Sequence, residues 1–268
     1  MGLFKPVVFY KQKVVAGGIP VQPEATAFLT AAGITDPTIT DAVNELVYDM
    51  KNAGIYSNMI AVYPFVGGTA TTHKYNLIDP ADTNAAYRLT FSGVTHTSDG
   101  ITNGGGNDQA SFTRINITSL NQNSVSMGVY SGTAGQDRVD MAGVSSGRGI
   151  QMLVRDVNDK FSTKCMDSTS DTSVSNTDGR GFYQISRTSS TEYTKQKETT
   201  ESSVTRTSQT PTTRYIAIGG IGQTETTSFL ETTRNYRFAY VGEGLTDSEL
   251  DDYYNAVQKF QTTLGRNV

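Results

Sequence analysis

Carboxylate side chains are the first candidates for chemistry in this sequence, because glycoside cleavage depends on paired acids. The densest acidic cluster consists of Asp247, Glu249, Asp251 and Asp252. It directly follows Thr246, at the start of a segment with helical apolar spacing, where negative charge is stabilised by the helix dipole. A strand-borne catalytic pair would need acids at alternate positions, as in Glu-x-Asp-x-Glu, and no such run occurs. The cluster therefore indicates a helix start, and we expect no enzyme activity.

Two histidines and one cysteine are the remaining side chains with catalytic potential. His73 and His96 lack a Cys, Asp or Glu at the spacing of the usual metal motifs, so we expect His73 to be packed or hydrogen-bonded. Cys165 follows Lys164 without an evident partner base, and we expect an incidental thiol. A single cysteine also excludes an internal disulfide, which is compatible with assembly in a cytoplasm.

Charge and hydropathy exclude several classes of partner. The net charge is −4 and the isoelectric point is near 5.2, whereas a nucleic-acid surface needs a basic face. The Gly-rich stretches 104–106 and 219–222 lack the Lys-Ser/Thr step of a phosphate loop. No apolar run reaches the roughly 18 residues of a membrane span, and the N-terminus has no signal-peptide pattern. We therefore expect neither nucleic acid nor membrane as a partner.

Three amphipathic helices are predicted. The first runs from Pro23 to Gly33, and the second begins with Asp36 as its N-cap and ends at Gly54. The third begins at a Thr-x-x-Glu capping box that starts at Thr246. Each helix has one apolar stripe, so each should lie against another part of the protein, most simply a sheet.

Short alternating segments separated by Gly, Asn, Asp and Ser fill the chain between the second and third helices, as expected for a sandwich. The predicted strands are 60–65, 72–77, 86–91, 111–117, 124–130, 138–144, 149–154, 181–186, 214–218 and 236–241.

The segment 186–213 is unusual because Ser and Thr make up more than half of it. Such a composition is typical of disorder. The alternation of Arg187, Ser189, Thr191 and Tyr193 instead favours a long polar hairpin with its turn within 197–203.

Two segments resemble one protein group. Tyr63-Pro-Phe-x-Gly-Gly-Thr-Ala-x-x-His-Lys-x-Asn-Leu77, after two short helices, and Gly242-Glu-Gly-Leu-Thr-Asp-Ser-Glu-Leu250 with the rest of the last helix resemble tailed-bacteriophage virion proteins. That group carries a concanavalin A-like lectin/glucanase (laminin G-like) sandwich. The resemblance implies a mainly β protein: an antiparallel jelly-roll sandwich with two N-terminal helices and one C-terminal helix.

The predicted elements give a domain plan, and the resemblance implies a role. We expect an attachment arm in 1–22, a helical pair packed on the sandwich in 23–58, and the sandwich with its C-terminal helix in 59–268. The expected function is a non-catalytic structural protein of the virion: a capsid decoration, head fibre or tail-associated component. The expected partners are other virion proteins and further copies of the chain. A glycan-binding receptor module of a tail fibre is the alternative, and a polysaccharide hydrolase comes third.

Glycan binding is suggested by the implied fold, and a host surface glycan is the expected ligand. Sugar sites stack rings on aromatic faces, and this chain has no Trp. Tyr130, Tyr183 and Tyr193 are the candidates for stacking. No cofactor is expected. Calcium at a sandwich rim is the one metal considered, through turn aspartates; they are Asp99, Asp108, Asp167, Asp171 and Asp178.

The segment 1–22 holds two β-prone pieces around basic residues, too short to fold alone. We predict that it attaches the chain to a neighbouring subunit or virion protein by strand addition. The simpler alternative is an edge strand of its own domain. The apolar and aromatic residues expected to make this contact are Phe4, Val8, Phe9, Tyr10, Val14 and Val15.

Overall fold

The computed structural model describes residues 18–168 and 171–268. In this part of the chain four α-helices accompany seventeen strands in two antiparallel sheets, so the predicted mainly-β sandwich is confirmed. The helices are α1 (Pro23–Ala32), α2 (Pro37–Asn52), α3 (Ala70–His73) and α4 (Asp247–Thr263).

The first sheet has eight strands, in the order β13-β12-β11-β6-β17-β4-β3, with β1 paired to β17 beyond the end of β4. Its strands are β1 (Met59–Tyr63), β3 (Val94–Thr97), β4 (Gly100–Asn103), β6 (Val125–Ser131), β11 (Gly181–Arg187), β12 (Glu192–Lys197), β13 (Thr200–Thr205) and β17 (Asn235–Gly242).

The second sheet has nine strands, in the order β10-β9-β8-β7-β14-β5-β2, with β15 and β16 attached beside β7. Its strands are β2 (Thr90–Phe91), β5 (Ser111–Asn116), β7 (Met141–Ser145), β8 (Arg148–Leu153), β9 (Lys160–Asp167), β10 (Thr172–Ser175), β14 (Tyr215–Ile218), β15 (Ile221–Gly222) and β16 (Ser228–Phe229).

Two apolar clusters divide the core. The inner cluster lies between the sheets and includes Met127, Ile185, Ile150 and Ile216. The outer cluster joins the helices to the other face of the eight-stranded sheet, where Phe182, Phe238 and Tyr240 stand at alternate strand positions. Because successive strand residues point to opposite faces, the central strands of this sheet are apolar on both sides.

The helix ends agree with the sequence prediction. Asp36 accepts a hydrogen bond from the Ile39 amide, Gly33 ends α1 in the left-handed conformation, and Thr246 and Glu249 form the capping box of α4. The predicted hairpin is also present, since β12 and β13 pair across a turn at residues 198–199.

The predicted strand 72–77 is wrong. Thr69 caps the short helix α3 by accepting a hydrogen bond from the Thr72 amide. The chain then runs beside β1, where the Asn76 side chain replaces part of a regular strand ladder. The Asn76 amide oxygen accepts from the Val62 amide, and the Leu77 amide donates to the Val62 carbonyl. A side chain that satisfies a strand's backbone groups cannot be seen in a hydrophobic pattern, which explains the error.

Candidate functional site

Strand β12 carries three long side chains toward the second sheet. Tyr193, Lys195 and Lys197 stand at alternate positions and so share one face. Thr194 and Gln196 occupy the opposite face, where their side chains donate to Asp247 and Asp251 of α4. The contacts with α4 therefore determine which face of β12 is turned inward.

A cleft opens where the edges of the two sheets face each other. It has a volume of about 300 Å³ and lies between β12 and β13 of the first sheet and β9 and β10 of the second. Register places Ser202 opposite Lys195, and Thr200 opposite Lys197. The lining residues are Phe161, Val174, Ser175, Asn176, Thr177, Lys195, Lys197, Thr200 and Ser202.

Lys197 is held in place at one end of the cleft. Its ammonium group donates to Asn176 Oδ1 at 3.0 Å and to the Asp178 carbonyl at 2.8 Å. It also lies 5.4 Å from the centre of the Tyr183 ring, within cation–π range. Phe161 meets the same ring edge to face at 5.0 Å. These contacts fix the position of the Lys197 ammonium group at this end of the cleft.

Lys195 is different, because its side chain has no partner among the described residues. The residue is only 3% exposed, yet it takes part in none of the ion pairs or side-chain hydrogen bonds of the described chain. Burial lowers the pKa of Lys195 to about 8. A weakly compensated ammonium group at the cleft is a ready donor for a bound ligand.

The chemistry available in this cleft is binding. Hydroxyl, amide and ammonium groups surround an apolar floor, which is the combination that holds a polar ligand in a defined orientation. None of the residues that line the cleft is a carboxylate. The arrangement therefore supplies no acid pair for glycoside cleavage.

A larger cavity of about 500 Å³ lies beside the α1–α2 connection. Arg266 lines it, but the guanidinium group donates to Gln261 Oε1 and to the carbonyls of Phe65, Pro64 and Ser98. Its cation is thus already used by the protein, and we regard the lysine cleft as the stronger candidate.

The three tyrosines predicted to stack on sugars are buried, so the structure corrects that prediction. Tyr130 and Tyr183 are 0% exposed and Tyr193 is 2% exposed. Tyr130 stacks on Phe182 under α4, and Tyr183 and Tyr193 belong to the core between the sheets. Their ring faces are covered by protein, because an aromatic residue in a sandwich strand fills volume between layers.

The other candidates from the sequence take structural positions. Asp247 and Glu249 lie in the first turn of α4. The His73 ring accepts a hydrogen bond from the Gly68 amide and lies 3.0 Å from His96, between their Nδ1 atoms. Cys165 is buried, and burial raises the pKa of its thiol to about 12, so this thiol is inert at neutral pH.

Four of the five aspartates considered for calcium, all except Asp99, accept hydrogen bonds or form ion pairs within the described chain. Asp108 accepts from the Ser228 amide, Asp171 pairs with Lys164 at 3.4 Å, and Asp178 pairs with Arg180 at 2.7 Å. Across residues 18–168 and 171–268, no group of three or more His, Cys, Asp or Glu residues could hold a metal ion.

The predicted attachment residues Phe4, Val8, Phe9, Tyr10, Val14 and Val15 lie outside the described residues. Among the described helices, none is long and apolar enough to cross a membrane.

Sequence reasoning missed Lys195 and Lys197. The signal was the alternation of Tyr193, Lys195 and Lys197 inside the predicted hairpin. Only the assignment of the inward face, which α4 decides, shows that these charges enter the cleft.

Comparison with solved structures identifies proteins of similar fold. Botulinum neurotoxin type C, reported to interact with two ganglioside molecules, has a TM-score of 0.52 at 10% identity, over 77% of this chain and 53% of that one. The two proteins share a β-sandwich fold. Domain 4 of AbnA, a GH43 arabinanase from Geobacillus stearothermophilus in complex with arabinotriose, has a TM-score of 0.48 at 14% sequence identity. The match covers 73% of this chain and 98% of that one. Trypanosoma rangeli sialidase has a TM-score of 0.47 at 8% sequence identity, and the match covers 80% of this chain and 38% of that one.

At such low sequence identities the likeness shows the fold alone. The chain spans about half of the neurotoxin structure and less than half of the sialidase. No protein-family model and no curated protein matches the sequence. The resemblance to phage virion proteins therefore stays a prediction.

Proposed function

We propose that this protein is a non-catalytic carbohydrate-binding β-sandwich module and that the cleft between the sheet edges holds the sugar. The cleft itself carries the proposal. Hydroxyl groups from β10, β13 and the segment after β10 surround it, and two ammonium groups project from β12. Sugars need many hydrogen-bonding groups beside an apolar surface. Val174, which is partly exposed, supplies that surface, whereas Phe161 is only 2% exposed.

The fold is compatible with this role without proving it. A neurotoxin structure of similar fold interacts with ganglioside molecules. Since one fold serves many functions, the proposal depends on the contents of the cleft and not on the likeness.

We further propose that the module is a component of a tailed-phage virion, as a capsid decoration, head fibre or tail-associated protein, assembled in the host cytoplasm. The two motifs in 63–77 and 242–266 support this placement. Other virion proteins and further copies of the chain would be its partners, and a host surface glycan its ligand. A glycan-binding receptor module of a tail fibre would then be one of the positions in the virion where the same binding activity is used.

A hydrolase is the less favoured alternative. The cleft is lined by lysines and hydroxyl groups, whereas a retaining or inverting glycosidase needs two carboxylates facing its substrate.

A glycan array on the purified full chain tests the binding proposal. We expect a defined set of glycans to bind, and Ser202→Leu, which fills the cleft opposite Lys195, to remove that binding. Ser203→Leu is the matched control, because the neighbouring side chain points to the other face of β13 and is exposed. Absence of any bound glycan, or equal binding by the Ser202→Leu protein, would refute the proposal.

A further inference from the structure

We infer that the cleft selects acidic sugars, with the Lys195 ammonium group as the cation that pairs with the ligand's carboxylate or sulfate. This inference rests on the proposed function, since it names the class of glycan that the same cleft would bind. Strand β12 lies one strand in from the edge of its sheet, and the residues of β13 paired with Lys195 and Lys197 are Ser202 and Thr200. The fold therefore does not require a cation at this position.

The first observation is the missing partner of Lys195. Buried lysines are normally paired, because an isolated ammonium group loses its hydration without compensation. Lys164 follows this rule: it is 7% exposed and lies 3.4 Å from Asp171. Lys195 is more buried, at 3%, and no described carboxylate lies within ion-pair distance of it. Its Nζ is not one of the fully enclosed unpartnered atoms of the described chain, so the ammonium group contacts solvent in the cleft. An anionic ligand group would replace that water and supply the opposite charge.

The second observation is that Lys197 adds a second positive charge to the same cleft. An ammonium group has three donors, and Lys197 uses two of them on Asn176 and the Asp178 carbonyl. Asn176 is itself fixed, since its amide nitrogen donates to the Val154 carbonyl and to the Tyr183 hydroxyl. One donor of Lys197 remains for a ligand, and its position is preset.

The third observation is that the surrounding hydroxyl groups are free to bind. Ser175, Thr177, Thr200 and Ser202 line the cleft. None of their side chains makes a hydrogen bond to another residue of the described chain. The hydroxyl groups of a sugar ring bound next to the lysines would lie within reach of these side chains. The charge contact and the hydrogen bonds to the sugar therefore belong to one site.

The electrostatic surroundings predict how binding depends on pH. Lys197 is the other charged group lining the cleft; β13, β10 and the segment 176–177 contribute hydroxyl, amide and apolar side chains, and β9 contributes Phe161. Burial holds the pKa of Lys195 near 8, below its usual 10.5. A bound anion favours the protonated amine. Affinity for an acidic ligand should therefore fall as pH rises through this pKa, and affinity for a neutral sugar should not.

The test compares acidic glycans with their neutral parents on an array that carries uronic-acid, sialylated and sulfated sugars, using the full chain. We expect the acidic members to bind and the neutral parents to bind at least about tenfold more weakly, the range expected for one charged hydrogen bond. The carboxylated and sulfated sets distinguish the two sources of negative charge.

Lys195→Met should lower the acidic ligand's affinity at least about tenfold and leave the affinity of its neutral parent unchanged. Circular dichroism checks that this variant folds. Lys51→Met is the matched control: it removes the same charge from α2, where Lys51 pairs with Glu24. For the wild-type chain, affinity for the best acidic glycan should fall at least about tenfold between pH 7 and pH 10, because the amine loses its proton over that range.

The outcomes separate the two proposals. Equal binding of acidic and neutral glycans, both lost in Ser202→Leu, would keep the carbohydrate-binding function and overturn the acidic selectivity. Acidic binding that Lys195→Met leaves unchanged would also overturn it. Binding of no glycan at all would overturn both.

Discussion

At the scale of single residues, a buried ion pair organises the loops next to the cleft. Arg234 and Asp140 are 2.6 Å apart and both side chains are fully buried. Tyr236 also donates to Asp140, at 2.7 Å, and Arg234 donates to the carbonyls of Thr133 and Gly135. A buried pair stabilises little unless every group is satisfied. Here the shared partners hold the connection between β6 and β7 against β17.

The two histidines form a second interaction between individual side chains. His73 Nε2 accepts from the Gly68 amide, so a neutral His73 carries its proton on Nδ1 and donates it to His96 Nδ1 at 3.0 Å. Burial lowers the pKa of His73 to about 3, with the charges of His96 and Arg266 acting in the same direction. Both rings are therefore neutral in the folded protein at neutral pH.

This arrangement predicts acid sensitivity. The unfolded chain takes up a proton at His73 near pH 6.5 and the folded protein only near pH 3, so stability falls as pH drops through that window. We expect His73 alone to lower the free energy of unfolding by about 2 kcal/mol between pH 7 and pH 4.5. Urea unfolding at the two pH values measures it.

Carboxylates with lowered pKa values, such as Asp178, lose their stabilising contribution mainly below about pH 4, so they add little between pH 7 and pH 4.5. A variant tests the assignment to the histidine directly. His73→Gln keeps an acceptor for the Gly68 amide but cannot titrate. Its loss between pH 7 and pH 4.5 should be smaller by the same amount, and an equal loss in both proteins would contradict this account.

At the scale of elements, α4 is a structural part of the sandwich. Its capping box fixes the start, and Leu250, Tyr253, Val257 and Phe260 are buried in the outer cluster. Tyr253 and Phe260 meet Phe238 edge to face at 6.1 and 6.0 Å. The same helix anchors the outward face of β12, so it also positions the lysine cleft.

Phe260→Ala should cost about 3–5 kcal/mol, because the side chain is 1% exposed and a cavity would remain beside Phe238. Chemical denaturation compares the variant with Thr263→Ala, an exposed position of the same helix. An unchanged unfolding midpoint for Phe260→Ala would mean that α4 is not bound to the sheet in solution.

At the scale of the whole molecule, the first described residues are tied to α2. The Gln22 amide donates to Asn44 Oδ1 at 2.7 Å, and Asn44 Nδ2 donates to the Pro20 carbonyl. These contacts fix where a deletion should end: it should spare Pro20 and Gln22.

Deletion of residues 1–17 keeps the contacts of Pro20 and Gln22 with α2, and we expect a folded domain whose thermal unfolding is close to that of the full chain. On our proposal that this segment attaches the module, the shortened protein should no longer join virion particles or its own oligomer. Co-sedimentation with particles and light scattering measure these two properties. A shortened protein that still joins both would exclude the segment as the anchor, and one that does not fold would show that it completes the domain.

Local patterns in the sequence predicted the three long helices, most of the strands and the Ser/Thr-rich hairpin, but not the short helix α3. Caps such as Asp36 and Thr246, and the alternation along β12, act within a few residues and can be read directly. The predicted sandwich followed from many such segments without intervening helices.

Tertiary structure alone decided what each face of a strand meets. Tyr183 and Tyr193 were candidates for sugar stacking, but the second sheet covers them. Lys195 and Lys197 attracted no functional prediction, and α4 binds the opposite face of their strand and turns them into the cleft. The physical reason is that alternation specifies two faces without naming which is buried, and that choice depends on elements distant in sequence.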